Sequence, residues 1–161
     1  MGHRHARESE AVMTELMMPH HANLLGNVFG GVILSLVDRV ASVAAIRHSG
    51  HYCVTVSVDK VDFKEPIRIG ELVTAYARVN FTGRTSMEVG VKIVAENMQT
   101  GDKRHTNSCY VTFVALGDDA RPVEVPELTP ETADEKRRWK RAQMRRVQRV
   151  TERRFDVGTG E

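Results

Sequence analysis

From Val32 to Ile46 almost every position is apolar or small, and the exceptions are Ser35, Asp38, Arg39 and Ser42. These fall at i, i+3, i+4 and i+7, which on a helix is one polar stripe along an otherwise apolar cylinder. The pattern predicts a helix buried on most sides. Gly30 and Gly31 precede it, and Ser49-Gly50-His51 stops it with Gly50 at the C-terminal cap. Elsewhere the period is two. Residues 11–17 read as a first strand ended by Pro19. Val54, Val56 and Val58 alternate with Thr55, Ser57 and Asp59, and a phase change predicts a bulge near Asp59–Lys60. Val73, Ala75, Ala77, Val79 and Phe81 read as the inward face of the next strand. Met87, Val89, Val91, Ile93 and Ala95 repeat the pattern against Glu88, Lys92 and Glu96, and Cys109, Val111, Phe113 and Ala115 close it. Strict alternation means a sheet with one face on a core, and short turns mean antiparallel neighbours. Only this sheet is available to cover the apolar helix, so the expected class is α+β with one central helix.

Composition changes this picture little, but the distribution of charge changes it. The 161 residues carry a net charge of +2, yet residues 131–155 hold ten Lys/Arg against four acids, leaving the remainder at −4. Three prolines, Pro122, Pro126 and Pro130, precede this basic stretch. The division expected is therefore a flexible N-terminus over 1–10, a domain over 11–120, and a proline linker with a basic helix over 121–161. The charge of that helix would suit nucleic acid or the phosphates of a ligand, but the favoured reading is a solvated helix that packs Trp139 on the domain or is partly disordered. Without aromatic interleaving it does not read as a nucleic-acid arm. No apolar run reaches membrane-spanning length. Cys53 and Cys109 are far apart and lack metal spacing, so they read as buried hydrophobes in a reducing cytoplasm. His20 and His21 have no spaced partner and read as surface loop residues.

Several stretches then match a family in order: Asn23, G-N-V-F-G-G-V-I-L-S-L-V-D at 26–38, R-H-S at 47–49, V-T-V-S-V-D at 54–59, F-K-E-P-I-R-I-G-E at 63–71 and G-R-T-S-M-E-V at 83–89. The chain resembles the hotdog-fold acyl-CoA thioesterases, in the branch of YciA-type and animal cytosolic acyl-CoA hydrolases. The resemblance runs from about Glu15 to Pro126. It implies a sheet curled round one helix, and hydrolysis of acyl-CoA to a fatty acid and free coenzyme A. It implies no metal and no cofactor beyond the coenzyme A of the substrate. It makes Asn23 and Asp38 catalytic groups, puts sites at a dimer interface, and suggests three dimers in a hexamer. It also draws Ser57, Lys64, Arg84, Thr85 and Ser86 towards the coenzyme, whose phosphates need basic and hydroxyl partners. The alternative is a non-catalytic acyl-CoA sensor using the same pocket.

Thioester hydrolysis requires oxyanion donors, a nucleophile and a base. The N–H groups of Gly30 and Gly31 open a helix, lie at its positive end and suit the oxyanion. Asp38 suits a general base acting on water, or a nucleophile, whereas its stripe alone fits a solvent-facing carboxylate paired with a basic neighbour. The amide of Asn23 suits holding the water or the carbonyl. Asp38 lies seven residues beyond Gly31, roughly 10 Å along the axis. A carbonyl held by the glycines is thus out of reach of the same helix's Asp38, and a two-fold partner with an antiparallel helix is expected to supply it.

Overall fold

The computed structural model describes residues 2–158. Met1 and 159–161, which fall in the expected end segments, lie outside the described residues. The elements are β1 (His3–Arg4), β2 (Ala11–Leu16), α1 (Gly30–Ser49), β3 (Tyr52–Asp59), β4 (Leu72–Thr82), β5 (Ser86–Glu96), β6 (Lys103–Leu116), β7 (Glu127–Leu128) and α2 (Ala133–Gly158). Five strands form one antiparallel sheet in the order β2-β4-β5-β6-β3. Helix α1 lies against its inner face. Ile33, Leu36, Val37, Val40, Ala41, Ala44 and Ala45 are buried there among the inward residues of β4, β5 and β6. Ser35, Asp38 and Arg39 are exposed, as the stripe predicted. The helix ends at Gly50, whose φ of 74° and N–H bond to Ile46 O make the left-handed cap for which glycine is suited.

The structure departs from the sequence pattern in four places. The N-terminus is not frayed. Strand β1 pairs in parallel with β7, and a short 3₁₀ turn at Ala6–Ser9 buries Ala6 and Ser9. In β3 the register shifts between Thr55 and Ser57, earlier than expected. The valines of β3 face away from the chain's own core, with Val54 46%, Val56 40% and Val58 42% exposed. Phe81 is not on the inner face, because a register shift between Val79 and Phe81 turns it to the outer side. There its ring meets Trp139 of α2 at 5.3 Å between centroids. Finally, Glu88 is not on a wetted face: α2 crosses the outer surface of the sheet and leaves Glu88 2% exposed. Its carboxylate accepts two hydrogen bonds from Arg145, at 2.6 and 3.1 Å, and one from Arg149 at 3.3 Å. The basic helix is therefore docked through Trp139, Ala142, Arg145 and Arg149, while Met144, Val147 and Val150 stay exposed.

Candidate active site

The loop before α1 is built on Asn23. Its side-chain Oδ1 accepts the N–H groups of Leu25 (2.9 Å) and Asn27 (3.1 Å), and its backbone N–H donates to Asn27 O (2.7 Å). This is an Asx turn of the kind asparagine favours, and Gly26, at φ 78°, supplies the left-handed residue it needs. With Oδ1 committed to the loop, the group Asn23 has left to offer a ligand is its NH₂.

The loop then delivers the chain to α1. Val28 N–H bonds Ile67 O and Phe29 N–H bonds His21 O. His21 is more than a surface residue. It is half-buried, its Nδ1 accepts the N–H of Met18 at 3.0 Å, and Nε2 lies 3.7 Å from Glu15. His20, by contrast, is exposed. Phe29 is the cap residue of α1, and Val32 N–H turns back to Phe29 O at 3.0 Å. Of the first-turn amides, those of Gly30 and Gly31 are left without a protein acceptor among the described residues. A Cβ on Gly31 would sit 2.4 Å from the Phe29 ring, so only glycine lets that ring lie across the helix start. The ring of Phe63 lies beside Gly30, 3.5 Å from where a Cβ would stand.

Asp38 sits two turns further on, exposed, and its partner is not a base. Thr55 Oγ1, from β3, donates to Asp38 Oδ1 at 2.6 Å. The neighbouring Arg39 is instead committed to Glu15 at 2.9 Å. The threonine is the residue that the sequence reading passed over. It lies in the V-T-V-S-V-D stretch beside Ser57, but nothing in the strand's alternation points it at α1. Ser57 pairs with Thr112 across β3 and β6, and both hydroxyls are buried without a partner among the described residues.

The remaining candidates divide between the two ends of the sheet. Lys64 follows Phe63 at the α1 N-terminal end, where its N–H bonds Thr106 O at 3.3 Å. Arg84, Thr85 and Ser86 lie at the β4–β5 turn. Val125 N–H bonds Arg84 O there, Ala115 N–H bonds Thr85 O, and the Arg84 guanidinium is 3.9 Å from Glu124. That turn belongs to the end where His48, near the α1 C-terminus, hydrogen-bonds Pro126 O. Within one chain Asn23 stands in the loop that leads to Gly30 and Gly31, Lys64 follows the Phe63 that lies beside Gly30, and Asp38 is held separately by Thr55. The structure leaves Arg84–Ser86 towards the opposite end of the sheet. A concavity of about 410 Å³ lies on the outer face, lined by Tyr76, Arg78 and Lys92, across the sheet from α1. No group of three His, Cys, Asp or Glu side chains among the described residues is placed to hold a metal ion. No described helix is long and apolar enough to cross a membrane.

Comparison with known proteins adds to this geometry. The thioesterase superfamily model matches residues 25–101. The uncharacterized acyl-CoA thioester hydrolase YkhA of Bacillus subtilis is 39% identical over 132 residues, 82% of this chain and 77% of that protein. An acyl-CoA hydrolase of Bacillus cereus superposes with a TM-score of 0.91 at 42% identity, covering 98% of this chain and 96% of the other. A hexameric acyl-CoA thioesterase gives 0.90 at 34% identity, over 94% and 97%. The Staphylococcus aureus acyl-CoA hydrolase, solved with butyryl-CoA and CoA, gives 0.87 at 33%, over 97% and 94%. Variants of that protein replace one aspartate, one asparagine and one threonine by alanine, and the three are spaced in its chain as Asp38, Asn23 and Thr55 are here. A central helix wrapped by an antiparallel sheet, and relatives of this kind along nearly the whole length, place the chain in the thioesterase superfamily, among its hotdog-fold acyl-CoA thioester hydrolases.

Proposed function

We propose that this protein hydrolyses acyl-CoA at sites shared between two copies of the chain, each site taking Asn23 and the Gly30 and Gly31 amides from one copy and Asp38 with Thr55 from the other. The observation that carries this is the separation within α1. Free amides open the helix, and a carboxylate held by Thr55 rather than by a base lies roughly 10 Å along it. One chain therefore holds two half-sites that it does not join.

The edge strand β3 supports the pairing. It exposes Tyr52, Val54, Val56 and Val58 and an unpaired backbone edge, while Leu24, Leu25, Phe29 and Phe63 stand exposed around the α1 N-terminus. A second copy adding its β3 antiparallel covers this apolar edge and sets the two α1 helices antiparallel. The hexameric neighbour supports three such dimers in one assembly.

In this arrangement the thioester oxygen is polarised by the glycine amides, a contribution of ~3–4 kcal/mol per well-placed donor. Thr55 donates into one oxygen of Asp38 and leaves the other to take a proton from water. The water oxygen bonds the acyl carbon, the C–S bond breaks, and the proton passes to the departing coenzyme A thiolate. A direct attack by Asp38 followed by hydrolysis uses the same groups. No metal or further cofactor enters, and two free cysteines suit a cytoplasmic location.

The test is thiol release from acyl-CoA in chelator-containing buffer, with Asp38→Ala and Asn23→Ala each expected to be nearly inactive. Co-refolding the two dead variants is the decisive step. With random mixing, half the dimers are mixed, and each mixed dimer has one site with both lesions and one with neither. About a quarter of wild-type activity should return for a two-fold site. Exchange confirmed by mass with no recovered activity refutes the shared site, and coenzyme A binding without thiol release by the wild type refutes the hydrolase.

A further inference from the structure

Where α2 meets the segment after β3, a concavity of about 310 Å³ opens on the surface. Lys60 and Lys64 line it from that segment, Ser108 and Tyr110 from β6, and Arg141 and Arg145 from α2. These groups are not equally occupied. Arg145 is committed to Glu88 and lies over the Tyr110 ring, its guanidinium carbon 3.5 Å from the centroid. Lys60, Lys64 and Arg141 make no ion pair among the described residues. Against these three cations the lining holds one carboxylate, Asp62.

Arg141 has no acid within a turn on its own helix. On the preceding turn Arg137 and Arg138 both pair with Asp134. One turn from Arg141 stand Arg137, Arg138, Met144 and Arg145. Like charges at this spacing destabilise a helix, so an anion at Arg141 relieves a repulsion that the chain itself does not neutralise. Lys60 adds a second sign. It leaves β3 at φ 60°, a left-handed conformation that glycine or asparagine adopts more cheaply than lysine. Neither residue is in an ion pair among the described residues.

One segment links the concavity to the proposed reaction centre. Lys64 is the residue after Phe63, whose ring lies against Gly30 at the start of α1.

We infer that Arg141, acting with Lys60 and Lys64, binds the phosphates of the coenzyme A moiety, so that the basic C-terminal helix is part of the substrate site. The inference rests on the acyl-CoA reading above, and it adds a residue outside the matched stretch of 25–101. Arg141 is suited to the role because a guanidinium grips phosphate oxygens in pairs.

The test compares Arg141→Glu with Lys140→Glu, the same charge change at an exposed neighbour that lines none of these concavities. Two substrates are used: butyryl-CoA, and S-butyryl-N-acetylcysteamine, which has the same thioester without phosphates. Arg141→Glu should raise KM for butyryl-CoA by about tenfold or more, with kcat within about twofold. It should leave kcat/KM for the cysteamine thioester unchanged, and the butyryl-CoA KM should lose much of its salt dependence. Lys140→Glu should change neither substrate by more than about twofold. Equal effects of the two variants on butyryl-CoA, or an Arg141→Glu loss shared by both substrates, overturns the inference. Should the wild type cleave neither thioester, the hydrolase reading fails and calorimetric binding of free coenzyme A decides this one. Arg141→Glu should weaken that binding about tenfold or more, and equal affinity overturns it.

Discussion

Replacing Glu88 by alanine tests whether α2 is a packed element or an appendage. The carboxylate side chain is 1% exposed, and the two arginines that reach it are 13% and 16% exposed. Glu88→Ala strands a guanidinium at Arg145, whose remaining contact is the face of Tyr110. Arg149 keeps Asp59 at 2.8 Å, so the stranded charge is chiefly one. Removing one partner of a buried ion pair costs ~3–5 kcal/mol, because the other charge stays out of water unpaired. The retained Arg149–Asp59 contact argues for the lower end, ~3 kcal/mol. For a domain of this size each kcal/mol shifts Tm by roughly 2–4 °C, so Tm should fall by about 6–12 °C. The assay is thermal unfolding at fixed protein concentration, since self-association adds to apparent stability. Glu88→Gln, which keeps an acceptor, should fall between. Glu88→Leu with Arg145→Leu should recover much of the loss, because no buried charge remains. A Glu88→Ala Tm within about 1 °C of wild type would refute the docked helix, since a carboxylate in water contributes little to an ion pair.

Thr55→Ala should lower kcat by roughly 10–100-fold with little change in Tm, the scale of a hydrogen bond to a charged acceptor. Thr55→Ser should restore most of the rate, and an unchanged kcat in the alanine variant would make Thr55 a packing residue only. His48 governs an acid limb of stability. Its ring is buried, which pulls its pKa below the usual 6.5, and the bond from Nε2 to Pro126 O offsets part of that. A group with a depressed native pKa keeps its full contribution above the unfolded value and loses it as pH falls towards the native one. Unfolding in urea should therefore show stability declining as pH falls below about 6.5. His48→Gln should flatten that decline, and an unaltered slope would assign it to other groups.

Much of this protein was legible along the chain. The central helix, its polar stripe, the glycine cap and the order of strands follow from local periodicity, because a helix or strand face is set by residues three, four or two apart. Asn23 is marked only by the family resemblance, and the Asx turn it makes with Gly26, though local, came from the structure. The tertiary structure decided what depends on partners distant in sequence. Thr55 reaches Asp38 only because β3 returns along α1. Phe81 and Glu88 look like one inward and one outward residue until α2, some fifty residues later, covers the outer face and makes that side a second interior. The bulges in β3 and β4 shift side chains between faces, and a period-two pattern carries no mark of the single extra residue that causes this. The valines of β3 show the same limit from the other side. Their alternation predicts burial, yet within one chain they remain exposed, because a hydrophobic pattern records that a residue is to be covered and not which surface covers it.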